Sequence, residues 1–219
     1  MISGLPVLLG ITILLGVTVS RSLSPLQTER LILRPFERSD AEALFEYQSR
    51  EDIARYHFWE PRSLEDIHKK LDDWIPMTSL EGEGTCASAI CLAEDGRLIG
   101  DVSLRVTDAE AGQAEIGFSL NPEFQGCGYA FEAASAYLQF GFEQRKLHRI
   151  FGRCDARNTG SWKLMERLGM RREAHFREHA LFKGGWDEEF YYAILAREWR
   201  SFPDRALQIE AKPALAGGE

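Results

Sequence analysis

The chain has 219 residues, 44% hydrophobic and 27% charged, which suits one globular domain whose core needs no disulfide staples. Its 26 Lys and Arg face 34 Asp and Glu, and the net charge of −8 argues against a protein that coats nucleic acid by charge alone. The acidity is compatible with cationic partners such as amines, without identifying them. Cys86, Cys91, Cys127 and Cys154 form no CxxC pair and no His/Cys metal spacing, so reduced thiols and no metal site are expected. Cys86 and Cys91 share one apolar stretch and read as buried thiols.

In chain order, the first 20 residues carry no charged side chain; Leu5 to Val19 reads LPVLLGITILLGVTV and Arg21 is the first charge. This run is shorter than the ~20 residues a helix needs to span a bilayer. It resembles the apolar part of a signal peptide, but the Lys or Arg that should precede such a part is missing. Four readings stay open: an unused extension, a weak signal or anchor, a partner-binding segment, or an element docked on the fold. The chain therefore divides into an apolar extension (1–26), a folded domain (27–200) and a tail (201–219) that contains Pro203, Pro213 and Gly217-Gly218 and reads as frayed.

Leu31 to Phe36 is a short β-type run stopped by Pro35. Ser39 and Asp40 are expected to open a helix, with Ser39 as N-cap, Glu42 as its capping-box partner, and Ala41, Leu44, Phe45 and Gln48 facing inward. Ser63 with Asp66 opens a second helix, whose Leu64, Ile67, Leu71 and Trp74 recur at helical spacing. Cys86–Leu92 and Leu98–Leu104 flank the turn at Glu94-Asp95-Gly96 and read as a hairpin, followed by a third strand from Ala114 to Leu120. A helix is expected from Ala130 to Glu143, a strand from His148 to Cys154 and a helix from Ser161 to Leu168. Phe176–Phe182 and Glu188–Leu195 make a final hairpin. This order predicts an α+β fold, an α/β sandwich with a mostly antiparallel sheet and one βαβ step in the middle.

The segment Phe118 to Ala130 holds the strongest chemical signal. A strand ends, a loop with Gly126 and Gly128 follows, and a helix begins. The first amides of a helix lack internal acceptors and its dipole favours anions, so the loop is a ready pyrophosphate cradle. It is neither a Walker loop nor GxGxxG, and on mechanics alone a tight strand-to-helix turn without a ligand explains it as well.

Gln125-Gly126-Cys127-Gly128-Tyr129-Ala130 matches Q/R-x-x-G-x-G/A and resembles the acyl-CoA loop of the GNAT superfamily of N-acetyltransferases. Leu26 to Pro35 (LQTERLILRP), Ala114 to Phe118 (AEIGF), Asn158 to Ser161 continuing to Glu166-Arg167-Leu168-Gly169-Met170, and the last hairpin resemble the branch of ribosomal-protein alanine N-acetyltransferases. The resemblance covers roughly Leu26 to Trp199, with its landmarks in order. It implies a GNAT-like sheet flanked by helices, with splayed central strands, and acetyl transfer from acetyl-CoA to a primary amine by direct attack on the thioester. On that reading backbone groups of Phe118, Ser119 and Leu120 pair with pantetheine, amides from Gln125 to Ala130 (through Gly126, Cys127, Gly128 and Tyr129) hold the pyrophosphate, and Asn158 contacts the cofactor. Glu115 is the implied general base and Ser161 the implied hydrogen-bond donor to the leaving thiolate. Each has a plainer reading, as a strand salt bridge and a helix N-cap respectively.

Two departures stand out. Met165 occupies the position of the tyrosine that protonates the thiolate in many superfamily members, and Cys127 replaces a basic or polar loop residue. They leave room for a non-catalytic acyl-CoA sensor beside the enzyme readings, in which the acceptor is a protein or peptide N-terminal amine or, alternatively, an aminoglycoside, polyamine or amino-acid derivative. Trp59, Glu60 and Trp74 fall near the expected acceptor cleft, and Glu60, Glu65, Asp72 and Asp73 either supply its charge or form a solvated helix face. His175 and His179 are expected on one strand face, as ordinary histidines. A cytoplasmic monomer or homodimer is expected, with no nucleic-acid partner and no membrane partner.

Overall fold

The computed structural model describes residues 24–201 and 210–211; the uncharged stretch before Arg21 and most of the tail lie outside them. β1 (Leu26–Gln27) and β2 (Leu31–Arg34) lead to α1 (Ala41–Gln48), α2 (Glu51–Ala54) and α3 (Leu64–Trp74). β3 (Thr85–Leu92), β4 (Leu98–Asp108) and β5 (Gln113–Leu120) form a meander, and α4 (Tyr129–Gln139) crosses over to β6 (Arg149–Asp155). Then come α5 (Thr159–Arg167), the hairpin β7 (Arg171–Phe182) and β8 (Gly185–Leu195), α6 (Ala196–Ser201), and β9 (Glu210–Ala211), which pairs with β1.

The nine strands make one sheet in the order β7-β8-β6-β5-β4-β3-β2-β1-β9. All pairings are antiparallel except β5 with β6, the step that α4 crosses, as parallel neighbours require. This is the expected α+β fold with a mixed, mostly antiparallel sheet. The parallel ladder is short: Gln113, Ala114 and Glu115 pair with Arg149, Ile150 and Phe151, and pairing stops there. From Ile116 to Leu120 β5 is held by β4 alone, and from Gly152 to Asp155 β6 is held by β8 alone. The central strands therefore splay and leave two facing backbone edges without ladder partners, a geometry that accepts an added extended chain.

Each face of the sheet carries its own core. α4 buries Ala133, Ala134, Ala136, Tyr137 and Leu138 against Leu104, Ile116 and Ile150. On the opposite face α1 and α3 bury Leu44, Tyr47, Ile67 and Leu71 against Ala87, Ala89 and Cys91, small side chains that let the helices lie close. Burying each Leu or Ile side chain contributes about 1.5–3 kcal/mol.

Local signals were met unevenly. Ser63 caps α3 as expected, its hydroxyl accepting from the Asp66 N–H at 3.2 Å. Ser39 does not cap α1; it lies in a 3-10 turn from Arg38 to Asp40. Asp40 fixes that turn by accepting from the Glu37 N–H (2.8 Å) and from two nitrogens of Arg34 (2.7 and 2.8 Å). Tyr47, not Phe45, is fully buried on α1. α4 stops at Gln139 and continues as a π-type turn, Phe140–Gln144.

Candidate active site

A cavity of about 770 Å³ occupies the splay and opens toward α1 and α2. Its two halves have different chemistry.

The first half lies at the carboxyl end of β5. Gly126 (φ 77°) and Gly128 (φ 87°) place the loop in the left-handed region that glycine tolerates, and Gly128 is the N-cap of α4. Among the described residues, the N–H groups from Gly126 to Phe131 have no hydrogen-bond acceptor. Gln125 differs from the expectation for its amide: its N–H donates to the Pro122 carbonyl (3.2 Å) and its side chain donates to the Leu120 carbonyl (3.1 Å). It braces the loop, and the free amides run one residue further along.

A buried carboxylate ties this loop to the start of the sheet. Glu132 is 4% exposed and accepts from Thr28 Oγ1 (2.6 Å), from Arg30 N (2.9 Å) and from Arg30 Nε (2.8 Å). Arg30 in turn donates to the Cys127 carbonyl (3.1 Å) and lies over the Tyr129 ring at 4.6 Å. Lys163 and Arg167 line the same half from α5, one turn apart. Cys127 supplies no charge; Arg30, Lys163 and Arg167 supply it, and the free amides add hydrogen-bond donors.

Phe118, Ser119 and Leu120 lie on the unpaired part of β5 and line the cavity, as does Asn158. Asn158 is the N-cap of α5, its side-chain oxygen accepting from the Ser161 N–H at 3.1 Å. That places Ser161 in the first turn of the helix, on the cavity wall beside the Cys154 thiol, which burial pushes up to about 11. Met165 is buried and fills space against Gly152, with no role as a donor.

The second half faces the acceptor side. Glu115 is on β5 at the cavity floor, but both its oxygens are engaged: Oε2 by Arg105 across the strand pair and Oε1 by Arg153 Nε at 2.8 Å. Asp101, four cross-strand pairs along β4 from Arg105 and on the same face, lies opposite Ser119. Its Oδ1 accepts from the buried Tyr47 hydroxyl (2.7 Å) and from Gln48 Nε2 (3.3 Å), and its carboxyl is pushed up to about 6 by burial. Asp52, Asp187, Glu188 and Glu189 also face this half, against Arg62 and Arg153.

Glu65, Asp72 and Asp73 do not line it; they pair with Lys69, Arg38 and Lys70 on the outside of α3. The cleft's acidity therefore comes from β4, β5, the β7–β8 hairpin and Asp52 of α2. The wall between α2 and α3 is aromatic: His57 stacks on Trp59 at 4.8 Å, and Arg62 lies over Trp59 at 4.4 Å. The hairpin tip reaches across to this wall, with Lys183 Nζ donating to the carbonyls of Ala54 (2.9 Å) and Trp59 (2.8 Å) and Phe182 meeting Phe58 at 5.3 Å. His175 pairs with Glu188 (3.3 Å), while His179 bridges Asp187 (3.1 Å) and Glu189 (3.6 Å).

Residues 30–171 match the acetyltransferase (GNAT) domain family. The chain belongs to that family. YnaD, an uncharacterized N-acetyltransferase of Bacillus subtilis (strain 168), is 34% identical over 174 residues, covering 80% of this chain and 98% of that protein. The crystal structure of a GNAT-family acetyltransferase from Bacillus anthracis superimposes with a TM-score of 0.71 at 34% identity, covering 79% of this chain and 99% of the other. The [ribosomal protein uS5]-alanine N-acetyltransferase of Escherichia coli (strain K12) is 25% identical over 183 residues, covering 80% of this chain and 92% of that enzyme. The protein is an N-acetyltransferase, and acetyl-CoA is its acyl donor. The chain fits that donor: free amides and cations face the phosphate end, and the β5 edge is open where pantetheine would lie.

Proposed function

We propose that this N-acetyltransferase modifies the primary amine at the N-terminus of a protein or peptide in the cytoplasm. The observation that carries this reading is the joining of two unlike half-sites through the splay, an anion cradle on one side and a carboxylate-lined cleft on the other. Acetyl-CoA supplies an activated acetyl thioester with a thiolate leaving group. The residues around it have separable roles. Amides from Gly126 to Phe131, with Lys163 and Arg167, hold phosphate, and the Phe118–Leu120 edge holds the extended arm. Ser161 donates a hydrogen bond where negative charge gathers on sulfur. Glu115, held between Arg105 and Arg153, fixes the floor of the acceptor half, and Asp52, Asp101 and Glu188 keep negative charge where the ammonium enters. The likeness to the uS5-alanine enzyme favours a peptide amine.

A second reading, acetylation of a small polyamine, is favoured by one feature: the hairpin tip roofs the acidic half and narrows its entrance. Thiol release measured with peptides bearing N-terminal Ala or Ser, spermidine, aminoglycosides and free amino acids decides between them. The peptides are expected to be the fastest acceptors, with the acetyl group on the α-amine by mass spectrometry. Faster turnover of spermidine than of any peptide would replace this reading with the polyamine one.

A further inference from the structure

We infer that Asp101 is the group that takes the proton from the acceptor amine. The inference rests on the acetyltransfer reading above and assigns a residue to its proton step. The cavity floor offers two carboxylates on adjacent strands, and they are not equivalent. Glu115 has a guanidinium on each oxygen. Asp101 uses only Oδ1, for Tyr47 and Gln48; among the described residues its Oδ2 accepts no hydrogen bond and no cation pairs with it, and the residue lines the cavity.

The surroundings of Asp101 are built to hold it in place. Tyr47 is fully buried, and burial keeps its hydroxyl protonated, so it always donates. Gln48 Nε2 donates to both Asp101 and the Tyr47 oxygen (3.3 Å each), and Arg62 donates to the Gln48 carbonyl oxygen. The charged groups facing Asp101 are Arg62, from the loop before α3, and Lys70, from α3; Tyr47 and Gln48 face it from α1, and Ser119 from β5. Gly117, which has no side chain, lies diagonally across from Asp101 on β5. No side chain projects there, the nearest group to that position is Ser103 Oγ, and the cavity that Asp101, Ser103 and Gly117 line together has room for an amine or one water. A carboxyl that titrates near 6 can accept a proton at neutral pH and return it to solvent, which an ordinary aspartate does less well.

The proton balance closes. An acceptor ammonium gives one proton to Asp101 Oδ2 and becomes a nucleophilic amine. Its lone pair forms the new C–N bond at the acetyl carbon as the C–S bond breaks. The second proton leaves nitrogen for the thiolate sulfur, which Ser161 stabilises, and Asp101 releases its proton to water when the amide departs.

The test compares wild type, Asp101→Asn, Asp101→Glu and Glu115→Gln, using the fastest acceptor of the panel above. Asn retains an oxygen for Tyr47 and Gln48, and acetyl-CoA affinity by calorimetry reports whether each variant is folded. Asp101→Asn is expected to bind acetyl-CoA as wild type does, to lose about 100-fold or more in kcat and to lose the acid limb of the kcat–pH profile, with partial recovery in Asp101→Glu. Glu115→Gln is expected to keep that limb. Carboxyl 13C spectra of the free enzyme, labelled at aspartate, should show one resonance titrating near pH 6 that is absent from Asp101→Asn. Near-normal kcat in Asp101→Asn, an acid limb retained there but lost in Glu115→Gln, or titration of Asp101 with the ordinary aspartates overturns the assignment while leaving acetyl transfer intact. A wild type that binds acetyl-CoA but releases no thiol with any amine overturns the acetyltransfer reading, and the assignment falls with it.

Discussion

Burial pulls two groups in the acceptor cleft toward their neutral forms. Asp101 is raised to about 6, while His57, desolvated beside Arg62 and Lys183, is lowered to about 4. For His57 the folded protein refuses a proton that the unfolded chain accepts from about pH 6.5 downward. Stability from keeping His57 neutral is therefore complete above pH 6.5 and is lost as the pH falls toward 4. His57→Gln should lose melting temperature more slowly than wild type between those limits, by about 1–3 kcal/mol in stability at the acid end, measured by scanning calorimetry. An identical acid slope in both proteins would contradict a half-buried histidine held neutral by desolvation and by Arg62 and Lys183. Residue placement was legible where a motif carried it: Glu115, Asn158 and Ser161 all line the cavity. Asp101, Tyr47 and His57 were not legible, because their environments arise from tertiary packing: α1 and the loop before α3 around Asp101 and Tyr47, and Trp59, Arg62 and Lys183 around His57. One signal for Asp101 was present, since Asp101, Ser103 and Arg105 alternate with the buried Val102, Leu104 and Val106 along β4.

Among the elements, the turn from β5 into α4 is the one most exposed to a single substitution. Gly128 sits at φ 87°, where a side chain is strained by about 1–2 kcal/mol. A Cβ there would also lie 3.4 Å from Arg30 Nη2, the cation that braces the loop. Gly128→Ala should therefore tilt the first amides of α4 and weaken acetyl-CoA binding by about tenfold, while leaving the acceptor KM unchanged; calorimetry and steady-state kinetics read the two effects. A larger loss for the acceptor than for acetyl-CoA would contradict the cradle. Elements with local start and stop signals were readable: the Ser63 cap, the Gly96 turn and the hairpin at Gly184-Gly185 all fall where the sequence marks them. The start of α1 was not, because Arg34 recruits Asp40 from the preceding strand and so overrides Ser39. β7 is also longer than its apolar run. It keeps pairing through two register shifts, with Glu178 at φ 51°, and such irregularities leave little trace in hydrophobic periodicity.

Across the whole molecule, charge is sorted by function. Arg21 is the only charge in 1–26 and the 201–219 tail carries one net negative charge, so the −8 belongs to residues 27–200. Within them Arg30, Lys163 and Arg167 gather at the phosphate end, and the carboxylates of β4, β5 and β8 at the acceptor end. An anionic donor and a cationic acceptor can thus approach one splay from opposite sides. The overall topology was readable because strand, helix and crossover followed one another in order. The roof of the cleft was not, since Lys183 meets Ala54 across 129 positions that no local pattern connects. No helix among the described residues is long and apolar enough to cross a membrane. On the proposed reading acetyl-CoA enters the splay as an added strand and seats its phosphates on the α4 amides. Hydrogen exchange with and without acetyl-CoA tests it most directly. Slowed exchange at Ile116–Leu120 and Gly126–Phe131, with α1 and α3 unchanged, is the predicted result; protection confined to other segments, or none at the splay, would contradict it.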